Sequence, residues 1–236
     1  VLEAMPRILQ RVTAPEVAKF YGRIHAEEGV EIIADEQAVA ITGDKKVASV
    51  QCQSGNEYPA DAVIIGVGVI PNTELAAQAG LLVDNGILVD EYARTSDKDI
   101  LAAGDCTSHY NPIYQRQLRL ESVQNALDQA TVAANTICDN LKPYSALPWF
   151  WSDQYDLKLQ IAGLSQGYNN VVIRGDIKTS RSFAAFYLQD EKLLAVDAVN
   201  SPQAFMLGKK LILQNTPLDP EQLADETLPL KSLLTG

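Results

Sequence analysis

Apolar positions along the 236 residues fall into a few helical faces separated by short strand-like runs. In residues 13–29, "TAPEVAKFYGRIHAEEG", Val17, Phe20, Tyr21 and Ile24 share one helical face. Thr13 is the expected N-cap, Pro15 lies in the first turn, and Gly29 marks the stop. "VLEA" before this helix and "VEIIA" after it read as strands. Together they make strand–helix–strand, the unit of a parallel sheet. "QAVAIT", "KVASVQCQ" and "NEYPA" then form a meander closed by the turns "GDKK" and "SGN".

The segment "DAVIIGVGVIPN" reads as a buried strand that opens into Gly66-Val67-Gly68. Such a loop either lets a backbone approach something closely or is a plain turn. A short helix, "TELAAQAG", precedes a strand region, "GILVDEYART", and a second buried strand, "DILAAGD". The longest helical pattern is "LESVQNALDQATVAANTICDNL", ended by Pro143. Its apolar and small residues Val123, Ala126, Ala130, Ala133 and Ile137 are expected to pack closely against a neighbour.

Beyond Pro143 the pattern changes. "YSALPWFWSDQYD" concentrates aromatics and prolines. The strands "LKLQIAG", "NVVIRG", "SFAAFYLQ" and "KLLAVDAV" follow, then a helix, "SPQAFMLGKKLILQN", with Pro202 in its first turn. Strands followed by a helix on one face make an α+β unit, distinct from the βα organisation before it.

Charge narrows the partners. A net charge of −11 argues against a nucleic-acid surface, which needs clustered Lys and Arg. No apolar run approaches the roughly 20 residues that span a bilayer, and the start lacks the pattern of a signal peptide. Cys52, Cys106 and Cys138 are far apart, include no CxxC, and suit reduced thiols in a cytoplasmic protein. His25 and His109 are the only histidines and carry no zinc-binding spacing.

Four features could carry chemistry. Asp105 ends an apolar run, where a carboxylate either caps the next turn or accepts from ribose or ribityl hydroxyls. Glu3, at a strand end, is either a surface acid or a reader of ribose hydroxyls. Glu121-Ser122-Val123 opens the long helix, where free N–H groups bind a carbonyl or anion and Ser122 is otherwise an ordinary cap. Trp149 and Trp151 are expected on opposite faces of an extended segment, and so not in one pocket.

In order, "VLEAMPRIL", "DAVIIGVGVIPNTELA", "GILVDEYARTSDKDILAAGDC", "RLESVQNALDQA" and "PWFWSDQYDLKLQIAGL" resemble the FAD-dependent, NADH-using ferredoxin reductases. The resemblance covers essentially the whole chain. It implies an α/β fold: partial Rossmann-like FAD- and NAD-binding domains of the pyridine nucleotide-disulfide oxidoreductase type, plus a C-terminal α+β reductase domain. Residues 1–68 would be NAD domain, 69–143 the second FAD segment, and 144–236 the terminal domain.

The resemblance also implies roles. Asp105 would bind the FAD ribityl chain, and the Val123 amide would meet the flavin ring. Glu3 would bind the NAD adenosine ribose, with Arg11 near the dinucleotide and Gly66 and Gly68 lining the NAD cleft. Glu121 would lie near the nicotinamide and Trp151 at the flavin edge. The implied reaction is hydride transfer from nicotinamide to flavin, then single-electron transfers to a [2Fe-2S] ferredoxin serving a cytochrome P450 or ring-hydroxylating oxygenase. No side-chain nucleophile or general base is expected.

This sequence lacks the family's Gly-x-Gly-x-x-Gly cradles, so it is expected to be a C-terminal portion of such a reductase. The rival readings are a cofactor-free fragment with an interaction role, or a flavoprotein reductase with a rubredoxin or disulfide acceptor. Ferredoxins of this type are usually acidic. Lys209, Lys210 and Lys231 are therefore candidates for a docking patch, against a simpler role as solvated surface lysines.

Overall fold

The computed structural model describes residues 1–234. The chain divides into two compact units, Val1–Gly68 with Gly175–Arg181, and Val69–Arg174 with Ser182–Gly236.

In the first unit, helix α1 (Pro15–Glu27) buries Val17, Ala18, Phe20, Tyr21 and Ile24, the face expected from their spacing. Its N-cap is Ala14 rather than Thr13, and no side chain caps it. The Thr13 hydroxyl instead donates to the Leu9 carbonyl at 3.3 Å, which closes the preceding turn. Strands β1 (Ala38–Thr42), β2 (Ser49–Cys52) and β3 (Glu57–Pro59) form the expected antiparallel meander. The buried Glu36 carboxylate accepts from Ser54, Asn56 and Tyr58, which ties that meander together.

Three expected strands are absent, "VLEA" and "VEIIA" among them. "VEIIA" makes a single parallel bridge, Leu2 to Ile33. With only that partner there is no ladder to propagate. Residues 61–70 of "DAVIIGVGVIPN" are irregular, and Ile64 and Ile70 are 98% and 90% exposed. The apolar pattern is that of a strand, but no neighbouring strand among the described residues satisfies its backbone. The segment 175–181 belongs to this unit because Arg181 pairs with Glu27 at 3.0 Å and Arg23 donates to the Ile177 carbonyl at 3.4 Å.

The second unit opens with helix α2 (Glu74–Gln78) and a small sheet of β4 (Ile87–Val89), β5 (Thr107–Asn111) and β6 (Arg116–Leu118). β4 runs parallel to β5, and β5 antiparallel to β6. "DILAAGD" is not a strand here; Leu101 makes one bridge to Arg94 and the chain then turns at Gly104. Helix α3 (Val123–Ile137) follows, with the Asn125 N–H donating to the Ser122 side chain at its N-cap.

The buried face of α3 is not the expected one. Gln124, Asn125, Gln129, Val132 and Thr136 point inward, while Val123, Leu127 and Ile137 are more than half exposed. A mostly polar face is tolerated inside because its groups are hydrogen-bonded.

Strands β7 (Trp149–Gln154), β8 (Leu157–Gly163), β9 (Asn170–Arg174), β10 (Phe183–Gln189) and β11 (Lys192–Val199) form one antiparallel sheet, ordered β7-β8-β11-β10-β9. Helix α4 (Pro202–Gln214) lies on one face and packs Phe205, Leu211 and Ile212 against Phe186, Leu188 and Val196. Gly208 permits that approach: a Cβ there would sit 2.7 Å from Val196 Cγ2. Helix α5 (Pro220–Ala224) and a short 3-10 turn (Leu230–Leu233) close the core. Arg174 holds them by donating to the carbonyls of Leu223, Asp225 and Leu228.

Candidate functional site

The polar network that fixes the turn at Gly104-Asp105 starts on α3. Gln129, 2% exposed, accepts at Oε1 from the Gly104 N–H at 2.7 Å, with the Thr107 hydroxyl 2.7 Å from the same oxygen. Its Nε2 donates to His109 Nδ1 at 3.1 Å, which leaves the proton of the neutral ring on Nε2. Burial holds the His109 pKa below its ordinary value, and Nε2 is buried with no partner among the described residues. The Tyr144 ring meets His109 edge-on at 5.0 Å, and its hydroxyl donates to Asn125 Oδ1 at 2.9 Å. Gly104 has φ +89, a region glycine enters without steric cost, and a Cβ there would lie 3.7 Å from Ala126.

This framework presents Asp105 outward. Its carboxylate is exposed and makes no hydrogen bond among the described residues. Its backbone carbonyl accepts from Arg119 Nη1 at 3.4 Å, and the same nitrogen pairs with Glu121 Oε1 at 2.7 Å. Arg119 Nε donates to Asn85 Oδ1 at 3.2 Å, so one guanidinium joins three segments. Glu121 is followed by Ser122, whose cap serves Asn125. The N–H groups of Val123 and Gln124 have no intrahelical acceptor.

Strand β7 is fastened to the same helix end, where Gln124 Oε1 accepts from the Trp149 N–H at 3.3 Å. Trp149 and Trp151 do not point to opposite faces; their ring centroids are 5.6 Å apart. Side chains alternate along a strand, so residues two apart share a face. Trp149 also meets Phe205 at 5.6 Å, and Lys209 Nζ sits over both rings at 5.3 and 5.5 Å. Trp151 remains 41% exposed.

Asp105, Glu121, Val123 and Trp151 thus belong to one connected framework in the second unit. Glu3, Arg11, Gly66 and Gly68 belong to the first. The Glu3 carboxylate accepts from the Met5 N–H at 2.8 Å, and Arg11 is exposed. A side chain at Gly66 or Gly68 would meet nothing within 4 Å, so neither glycine is required by a close approach among the described residues. No hydrogen bond or ion pair among the described residues joins these four.

Sequence reading missed Arg119, Gln129 and the role of His109. A signal was present for Gln129, since Asn125, Gln129, Val132 and Thr136 recur at helical spacing.

The second-unit framework combines a free carboxylate, free backbone donors and an indole face. It can accept from hydroxyls, donate to a ring carbonyl and cover a flat ring. That donor set fits a polyhydroxyl chain joined to an aromatic ring system. Among the described residues no group of side chains could hold a metal ion, the three cysteines are free, and no helix is long and apolar enough to cross a membrane.

Known proteins match along the whole chain. A pyridine nucleotide-disulphide oxidoreductase profile matches residues 1–130, and a reductase C-terminal profile matches residues 149–234. Putidaredoxin reductase of Pseudomonas putida is 45% identical over 239 residues, covering 100% of this chain and 56% of that protein. Rhodocoxin reductase of Rhodococcus erythropolis is 43% identical over 232 residues, covering 98% and 54%. The crystal structure of the covalent putidaredoxin reductase–putidaredoxin complex superposes with a TM-score of 0.93 at 45% identity, over 98% of this chain and 56% of that one. The chain spans about half the length of the curated relatives it matches. It belongs to the pyridine nucleotide-disulphide oxidoreductase family and carries that family's reductase C-terminal domain.

Proposed function

We propose that this chain is the NAD-side and flavin-edge portion of an NADH:ferredoxin oxidoreductase. The observation that carries this reading is the exposed Asp105 carboxylate on a turn clamped by Gln129 to α3, beside that helix's free N–H groups. Bound FAD would supply hydride uptake from NADH and single-electron release to an iron–sulfur acceptor. Asp105 accepts from ribityl hydroxyls, and the Val123 N–H donates to the ring. Trp151 shields the ring edge, and Arg119 holds Glu121 beside it.

In the first unit, Glu3 and Arg11 contact the adenosine end of NAD, and Gly66 and Gly68 give its backbone room. An acid at Glu3 favours the ribose hydroxyl of NADH over the phosphate of NADPH. Residues 1–68 then act as NAD domain, 69–143 as flavin domain and 144–236 as terminal domain.

Electrons leave near Trp151 to a [2Fe-2S] ferredoxin of a cytochrome P450 or ring-hydroxylating oxygenase system. Lys209, held over Trp149 and Phe205, is the cation nearest this aromatic group in the contacts described, and an acidic partner suits it. Three free thiols suit a reducing compartment such as the cytoplasm.

The test is a chimera in which this chain replaces the corresponding segment of putidaredoxin reductase. NADH-dependent reduction of a [2Fe-2S] ferredoxin is expected. A folded, flavin-containing chimera that oxidises NADH but reduces no ferredoxin would contradict the acceptor assignment.

A further inference from the structure

A cleft of about 470 Å³ opens in the second unit between the β5–β6 hairpin, the β10–β11 turn and the end of α4. It shares no residue with the Asp105 framework. Its volume lies within the range of small-molecule sites, roughly 300–1,000 Å³.

The lining runs against the composition of the chain. Acids outnumber Lys and Arg by 30 to 19, yet among the described residues the cleft is lined by Arg116 and Lys192 and by no carboxylate. Neither cation forms an ion pair or hydrogen bond among the described residues. Arg116 Nε is buried with no acceptor among the described residues. A buried donor left unpaired has given up its hydration with nothing in return, and the loss is greater when it is charged. An anion in the cleft would meet an Arg116 side chain that no carboxylate neutralises among the described residues.

The remaining lining is of two kinds. Gln115, Gln166, Gln189 and Asn215 supply amide donors and acceptors, while Leu194 and Ile212 supply apolar surface. Tyr114 forms a fixed wall: its hydroxyl donates to the Leu194 carbonyl at 2.9 Å and accepts from the Leu164 N–H at 2.9 Å. A Cβ at Gly163 would lie 2.6 Å from that hydroxyl, so glycine there makes the locked position possible. Cations beside a rigid aromatic and aliphatic wall match a ligand with an anionic head and a small apolar body.

We propose that this cleft binds small organic carboxylates, with Arg116 and Lys192 on the carboxylate and the Tyr114 side of the cleft on the apolar body. The experiment is calorimetric titration of the purified chain with benzoate, neutral benzamide and inorganic phosphate. Saturable benzoate binding is expected, with no saturation by benzamide and much weaker binding of phosphate. Arg116→Gln should weaken benzoate about tenfold, the loss of one charge-assisted contact. Lys192→Gln changes an exposed side chain that does not support the fold, and should weaken it in the same direction. No saturation by benzoate, or unchanged affinity in Lys192→Gln and Arg116→Gln, would overturn the proposal. Phosphate binding as tightly as benzoate would overturn the organic-carboxylate class.

Discussion

The Gln129 side chain and the Gly104 backbone are joined by a 2.7 Å hydrogen bond that clamps the Asp105 turn to helix α3. The same side chain engages Thr107 and His109, so truncation strands several buried groups at once. Gln129→Ala is expected to lower the unfolding free energy by about 2–4 kcal/mol. Urea denaturation measures it; a loss below about 1 kcal/mol would mean that the bond is dispensable.

A second prediction concerns Asp197, which is fully buried on β11 and accepts from the Tyr187 hydroxyl. Burial pushes its pKa up to about 7, against the smaller opposing effect of the tyrosine. The folded state therefore holds a proton that the unfolded chain releases near pH 4. Stability from this group is complete below that point and is lost as pH rises to about 7, by a few kcal/mol. Asp197→Asn should flatten this part of the pH–stability curve and exceed the wild type in stability at pH 8. A variant that falls in parallel with the wild type from pH 5 to 8 would assign the effect elsewhere.

Much of this architecture is legible in the residues. The amphipathic pattern of α1, the Ser122 start of α3 and the positions of the strands β8 to β11 all match the structure. What failed was the step from apolar to paired. Residues 61–70 and "DILAAGD" have the composition of buried strands, but composition does not reveal whether a ladder partner exists. The reverse error hid β5, whose Thr107, Ser108, His109 and Asn111 are polar yet buried. Its place depends on hydrogen bonds to residues distant in sequence, which no local pattern displays. The tryptophan pair was misjudged by assigning the wrong periodicity to a strand.

Packing of α4 on the sheet gives a third prediction. Gly208→Ala puts a methyl 2.7 Å from Val196 Cγ2, and a β-branched side chain in a strand has little freedom to turn away. The variant should lose about 1–3 kcal/mol. Adding Val196→Ala should recover part of that loss, because the clash is between these two groups. Strict additivity in the double-mutant cycle would place the strain elsewhere.

Lys209 offers a test of the docking surface. In the chimera with putidaredoxin reductase, Lys209→Glu should slow ferredoxin association several-fold at low salt, with the difference shrinking at high salt. Lys210→Glu and Lys231→Glu serve as comparisons on the same terminal domain. A rate unchanged by Lys209→Glu at low salt would remove this residue from the interface.

If Asp105 holds the ribityl chain of a flavin on the Gln129-clamped turn, removing its carboxylate releases the flavin. The most direct measurement is the flavin content of the purified chimera with and without Asp105→Ala, read from visible absorbance. The parent should be yellow, and the variant should fold with an unchanged far-ultraviolet spectrum but lose its flavin on gel filtration. Equal flavin retention in the two proteins would contradict it.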